Sequence, residues 1–154
     1  MLEALIPAKQ IDDFIILRAR AFTSAVRRGL TGDVLKNEKL AVLEWQLLFS
    51  IARFGRCHLA YVTKHTSIDP AHGSRAASGL EKKGLIVRIE DTENRRRKLM
   101  SLTPNGIETF DRIWPKVRDN VAKRTNRLST EETEELKRLL DLLCVPIGDE
   151  GTSQ

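Results

Sequence analysis

Four consecutive cations, Arg95, Arg96, Arg97 and Lys98, stand between two short apolar runs, where the chain must reverse direction. Like charges crowded at a tight turn repel one another unless a polyanion neutralises them, and DNA phosphate is the natural counterpart. Upstream, Arg75 sits among short side chains, Ala71, His72, Ser74 and Ser78, in a segment that opens on Asp69-Pro70. The arginine fork matches guanine O6 and N7, and small neighbours let a helix enter a major groove about 12 Å wide. His72 and Ser74 are within reach of a base or a phosphate, and the helix start capped by Asp69 offers amides to a phosphate. At the turn, Arg95 and Arg96 suit the minor groove, while Arg97 and Lys98 suit the DNA backbone.

Other chemistry finds no support. His58, His65 and His72 recur at seven-residue spacing, but no neighbouring carboxylate or cysteine cluster completes a metal site. No phosphate-cradling glycine loop or nucleophile motif is present, so no enzyme, cofactor or metal is expected. Cys57 and Cys144 lie far apart and read as two reduced thiols in apolar surroundings. Aromatic residues make up only 5%, which disfavours a carbohydrate site or a single-strand stacking platform.

The elements that position these residues follow from periodicity and caps. A first long helix runs from about Ala8 to Gly29, with Ile11, Phe14, Ile15, Arg18, Phe22, Ala25 and Val26 on one stripe and Gly29 as its stop. A polar stretch, TGDVLKNEK, follows. The second helix spans about Ala41 to Phe54 and ends at Gly55. A short third helix runs from His58 to about His65, and Thr66-Ser67-Ile68 makes a turn. Asp69 then caps a fourth helix with Pro70 at its first position, and this helix stops at Gly84. On its wheel Gly73, Ala76, Ala77, Leu80 and Gly84 share one side, leaving the Arg75 face exposed. Gly73 and Gly79 each weaken this helix by about 1 kcal/mol relative to alanine. Close packing against the second helix accounts for them, or a helix that adjusts its pitch on meeting DNA. Leu85–Glu90 and Lys98–Thr103 alternate as two strands of a hairpin. Thr103-Pro104 starts a fifth helix in which Pro115 favours a kink, and Ser129–Glu132 is a capping box opening a last, leucine-rich helix.

At 154 residues the chain fits one domain with a real core, and 31% charged residues suit a soluble surface. Its net charge of +5 is unevenly spread. Arg53–Lys98 holds eleven Lys/Arg against five Asp/Glu, whereas Ser129–Gln154 holds two against seven. One end is built to meet an anion and the other would repel it. No apolar run approaches a membrane span and the N-terminus lacks the pattern of a secretory signal, so a cytoplasmic location without membrane association is expected. A helix-turn-helix followed by a basic hairpin is the layout of a winged DNA-binding domain.

The segment Leu43–Gly106 resembles the MarR (multiple antibiotic resistance regulator) family of winged helix-turn-helix transcription factors. The landmarks are LEWQLLFSIARFG, GLEKKGLIVRIED and ENRRRKLMSLTPNG. Asn94 departs from the aspartate usual in the family's wing, and Ala41 and His58 stand where Thr or Ser caps are typical. The resemblance implies an obligate homodimer with intertwined terminal helices, a palindromic operator, and often a small phenolic or aromatic-acid effector. The fold class expected is mainly α with a small β-hairpin. Residues 1–154 form one domain, with a winged lobe at 41–106, dimerisation helices at 8–29 and 107–145, and a flexible tail at 146–154. The function expected is a homodimeric double-stranded DNA-binding repressor released by an aromatic acid, a related metabolite or an acyl-CoA thioester. An effector pocket is expected where the first, second and fifth helices meet, with Arg18 receiving a carboxylate and Phe22, Trp45 and Phe49 forming its apolar wall. A constitutive or architectural DNA-binding protein without effector, and a winged-helix protein-interaction module, are the alternatives.

Overall fold

A computed structural model describes residues 14–31, 34–94 and 97–144. The chain forms two compact units, one ending at Asn120 and the other starting at Val121. In chain order the elements are α1 (Ile15–Thr31), α2 (Val34–Asn37), α3 (Val42–Phe54), β1 (Cys57–His58), α4 (Leu59–His65), α5 (Pro70–Lys82), β2 (Ile86–Glu90), β3 (Lys98–Leu102), α6 (Pro104–Thr125) and α7 (Thr130–Cys144). No helix among the described residues is long and apolar enough to cross a membrane.

The local signals act as expected. The Asp69 carboxylate accepts from the Ala71 and His72 amides at 2.9 and 3.1 Å, and Pro70 opens α5. Gly84 ends that helix region at φ 67° and Gly55 ends α3 at φ 75°, both in the left-handed region that suits glycine. Ser129 and Glu132 exchange backbone-to-side-chain bonds of 2.8 and 3.2 Å, completing the box that starts α7. Thr103 Oγ1 accepts from the Gly106 amide at 3.0 Å while donating to the Gly84 carbonyl at 2.7 Å, so α6 starts locked to the strand entry.

The core of the first unit gathers Leu47, Leu48 and Ile51 of α3 with Val62, Leu80, Ile86, Met100 and Ile113, each at most 2% exposed. Against the same core, Trp45 stacks on Phe110 at 5.6 Å and Phe49 meets Trp114 at 5.5 Å.

Several elements differ from the sequence reading. The start expected for the first helix, at Ala8, and the tail at 146–154 lie outside the described residues. Gly29 does not stop α1, which continues to Thr31. A Cβ at Gly29 would lie 2.3 Å from Asn120 Oδ1, and the Asn120 amide donates to the Val26 carbonyl at 3.0 Å. The glycine makes room for α6 rather than ending a helix. The polar stretch contains α2, because Leu35 is pulled into the core at 2% exposure. His58 is not the first residue of a helix. With Cys57 it forms a third strand, pairing Cys57 with Met100 and His58 with Leu99, so the hairpin becomes a three-stranded antiparallel sheet ordered β1-β3-β2. A two-residue strand is too short for alternation to reveal. In β2, Val87 and Ile89 face outward at 41% and 42% exposure, while Arg88 shares the inner phase with buried Ile86. An ion pair with α5 holds Arg88 there, overriding the apolar pattern.

Candidate nucleic-acid interface

Helix α5 presents two faces fixed by side-chain size. Gly73, Ala76, Ala77 and Leu80 are buried, and Ala71, His72, Ser74, Arg75 and Lys82 are exposed. Gly73 lies against Leu59 and Ile68, where a Cβ would come within 3.0 and 3.2 Å, and Gly79 lies against Glu44 of α3. Close packing therefore accounts for both glycines, although Gly73 meets α4 and its following turn rather than the second helix.

Asp69 and Pro70 shape the start of this helix. The His72 amide, with that of Ala71, holds the Asp69 carboxyl below the usual carboxylate range. The cap is thus ionised at neutral pH, and the stability it adds is lost only as acid protonates it. Its carboxylate also occupies the two amides that a phosphate would otherwise take. His72 Nδ1 lies 3.4 Å from the same carboxylate.

Ser78 is half-buried and receives a 3.3 Å bond from Arg88 Nη2, whose guanidinium also pairs with Glu81. The Arg88 side-chain bond holds the Glu81 carboxyl below its ordinary range. These contacts fasten β2, the edge strand of the hairpin, to the exposed helix. Arg88 and Glu81 carried no motif in the sequence, although a lone arginine inside an apolar strand was a signal.

The hairpin tip is built from Asp91, whose carboxylate accepts from the Glu93 amide at 3.0 Å, and from an Arg97 amide donating to the Asn94 carbonyl at 2.8 Å. His58 anchors its base, with Nε2 3.0 Å from Asp91 and Nδ1 3.2 Å from the Lys98 carbonyl oxygen. Arg97 and Lys98 are exposed beside it. Arg95 and Arg96 lie outside the described residues. No group of three His, Cys, Asp or Glu suited to a metal occurs among the described residues.

The expected pocket residues fall into two places. Trp45, 4% exposed, and Phe49 adjoin one another at 6.0 Å and pack on Phe110 and Trp114 of α6. Arg18 and Phe22 lie on an exposed face of α1, with Phe22 at 45% exposure.

A capped recognition helix, a preceding short helix and a basic three-stranded wing define a winged helix-turn-helix protein. Residues 39–97 match the model of the MarR family. A probable transcriptional regulator from Pseudomonas aeruginosa is similar at 26% identity and a TM-score of 0.75, over 86% of this chain and 98% of that one. Sco3205 of Streptomyces coelicolor, a MarR-family transcriptional regulator solved in complex with DNA, is similar at 22% identity and TM-score 0.74, over 99% and 97% of the two chains. BpsR of Bordetella bronchiseptica, whose DNA binding is regulated by 6-hydroxynicotinic acid, is similar at 23% identity and TM-score 0.73, over 87% and 94%. No curated protein matches the chain by sequence search.

Proposed function

We propose that the protein is a homodimeric, sequence-specific double-stranded DNA-binding repressor, released from a palindromic operator by a small aromatic acid, a related metabolite or an acyl-CoA thioester. The observation that carries DNA recognition is the exposed face of α5, short side chains around Arg75, on a helix joined by the Arg88–Glu81 pair to the hairpin that carries Arg97 and Lys98. Two such helices read a palindrome when a dimer holds them about one DNA turn apart, roughly 34 Å. Support for pairing comes from α7, where Leu136, Leu139, Leu140, Leu142 and Leu143 are 39–68% exposed and no residue is buried. Phe14, Ile15, Ile16 and Phe22 of the α1 region are likewise 45–64% exposed. An effector releases DNA only if it favours a spacing that mismatches the operator, since equal affinity for both spacings shifts nothing. The pocket proposed for it remains the junction of α1, α3 and α6 near Arg18, Phe22, Trp45 and Phe49.

Arg75→Ala tests the reading directly. It is expected to cost about 1–3 kcal/mol on the cognate palindrome with little loss on random DNA, because the contact is to a base edge. Equal losses on both DNAs, measured by fluorescence anisotropy, would place Arg75 on the phosphates instead. The wing should behave in the opposite way. Arg97→Ala with Lys98→Ala is expected to weaken both DNAs alike and to flatten the salt dependence by roughly one to two counterions per wing. An unchanged salt slope would remove the wing from the interface.

A further inference from the structure

Glu44 is the only charged side chain buried among the described residues, at 8% exposure. Its Oε2 accepts from the Ala41 amide at 2.8 Å, the ordinary role of a glutamate three residues into a helix. The same oxygen takes a 2.5 Å bond from Lys83 Nζ, thirty-nine residues away, at the C-terminal cap of α5. Lys83 Nζ also donates to the Lys39 carbonyl at 2.8 Å. Lys39 is the one non-glycine residue with positive φ among those described, at 53°. The other carboxylate oxygen lies where a Cβ on Gly79 would be, only 2.3 Å from that position.

A buried carboxylate with one ammonium partner stabilises a fold weakly at best, because desolvation offsets the attraction. Such a pair is better placed to specify a geometry. Here it joins three elements: the start of α3, the turn after α2 and the last turn of α5. Asp69 caps the first turn of α5 from within its own segment, and the Glu44–Lys83 pair ties the last turn to α3, so the exposed residues His72, Ser74 and Arg75 are carried on a helix held at its C-terminal end. A side chain reading a base edge tolerates little change in tilt or axial rotation, whereas a cation on a phosphate tolerates more.

We propose that Glu44 and Lys83 are positioning residues for sequence reading, with Gly79 as the gap that admits them, setting the tilt of α5 so that Arg75 meets its base. The inference rests on the DNA-binding function proposed above. It carries a sign that simple electrostatics does not. Glu44→Gln removes a negative charge and by charge alone would tighten binding to any DNA. The positioning role predicts a weaker hold on the cognate sequence.

The test uses the full-length chain and the duplex that wild type enriches from a random double-stranded library, with a scrambled duplex as reference. Glu44→Gln, Lys83→Met and Gly79→Ala are each expected to lower the ratio of cognate to scrambled affinity about tenfold, the scale of one misplaced base contact. Scrambled-duplex affinity should be unchanged or higher for Glu44→Gln and Gly79→Ala. The double variant Glu44→Gln/Lys83→Met should lose no more than either single change, since both break one device. Gly79→Ala alters neither charged group and favours the helix, so it remains informative if Glu44→Gln fails to fold. Wild-type ratios in folded variants, or equal losses on both duplexes, would overturn the positioning role alone. Failure of the wild-type protein to enrich any sequence would instead overturn the DNA-reading function on which it rests.

Discussion

Leu140→Glu is expected to turn a dimer into a monomer of 17.5 kDa by light scattering and to weaken binding to the palindrome by about 10²–10⁴-fold. Leu140 is 49% exposed within its own chain, in a helix that has no buried residue. Exposed apolar side chains at helical spacing mark a surface that another chain covers. A glutamate would carry a charge into that seam at a desolvation cost no single pair offsets. Loss of the seam separates the two recognition helices, and each half-site must then be bound without the effective concentration supplied by its twin. The thermal melt of the winged unit should change little, because Leu140 is not among the residues of its core. A variant that stays dimeric, or a wild-type protein that scatters as a monomer, would rule out α7 as the seam.

Gly106→Ala is expected to lower stability by about 2–3 kcal/mol, although alanine is the better helix former by about 1 kcal/mol. The reason is contact with backbone rather than with a movable side chain. A Cβ at Gly106 would lie 2.0 Å from the Leu85 carbonyl oxygen and 3.0 Å from its carbon. Leu85 cannot retreat freely, since its carbonyl accepts from the Thr103 amide at 3.1 Å and its amide donates to the Leu80 carbonyl at 3.0 Å. Inserting the methyl must part α6 from the entry to β2, with strain passed to α5 through Leu80. Urea titration at fixed protein concentration reads the effect. A variant as stable as wild type would show that the helix start yields at no cost.

Gly106 also shows how far a sequence can be read. Its place in Leu-Thr-Pro-Asn-Gly marked a strand-to-helix junction, and the junction is there. Why the position must be glycine depends on a carbonyl twenty-one residues earlier in the chain. Gly29 misled for the same reason: as a residue type it reads as a stop, whereas its neighbour Asn120 makes it a gap inside a helix. Trp45 and Phe49 are expected from the sequence as the apolar wall of a pocket. Their packing on Phe110 and Trp114 comes from α6.

What the sequence determined by itself was the set of features whose partners lie within about four residues. Asp69 capping its own helix, the Ser129–Glu132 box, the glycines at positive φ after α3 and α5, and the small-residue face around Gly73, Ala76 and Ala77 all belong there. Their physics is a hydrogen bond or a steric limit closed by local backbone geometry, so residue type and spacing suffice. Tertiary structure alone decided the third strand at Cys57–His58, the capture of Leu35 by the core, the inward turn of Arg88 toward Glu81 and the Glu44–Lys83 pair. Each depends on a partner brought near only when the chain has packed. A two-residue strand has no periodicity of its own, and a buried ion pair is legible only from the position of its second member.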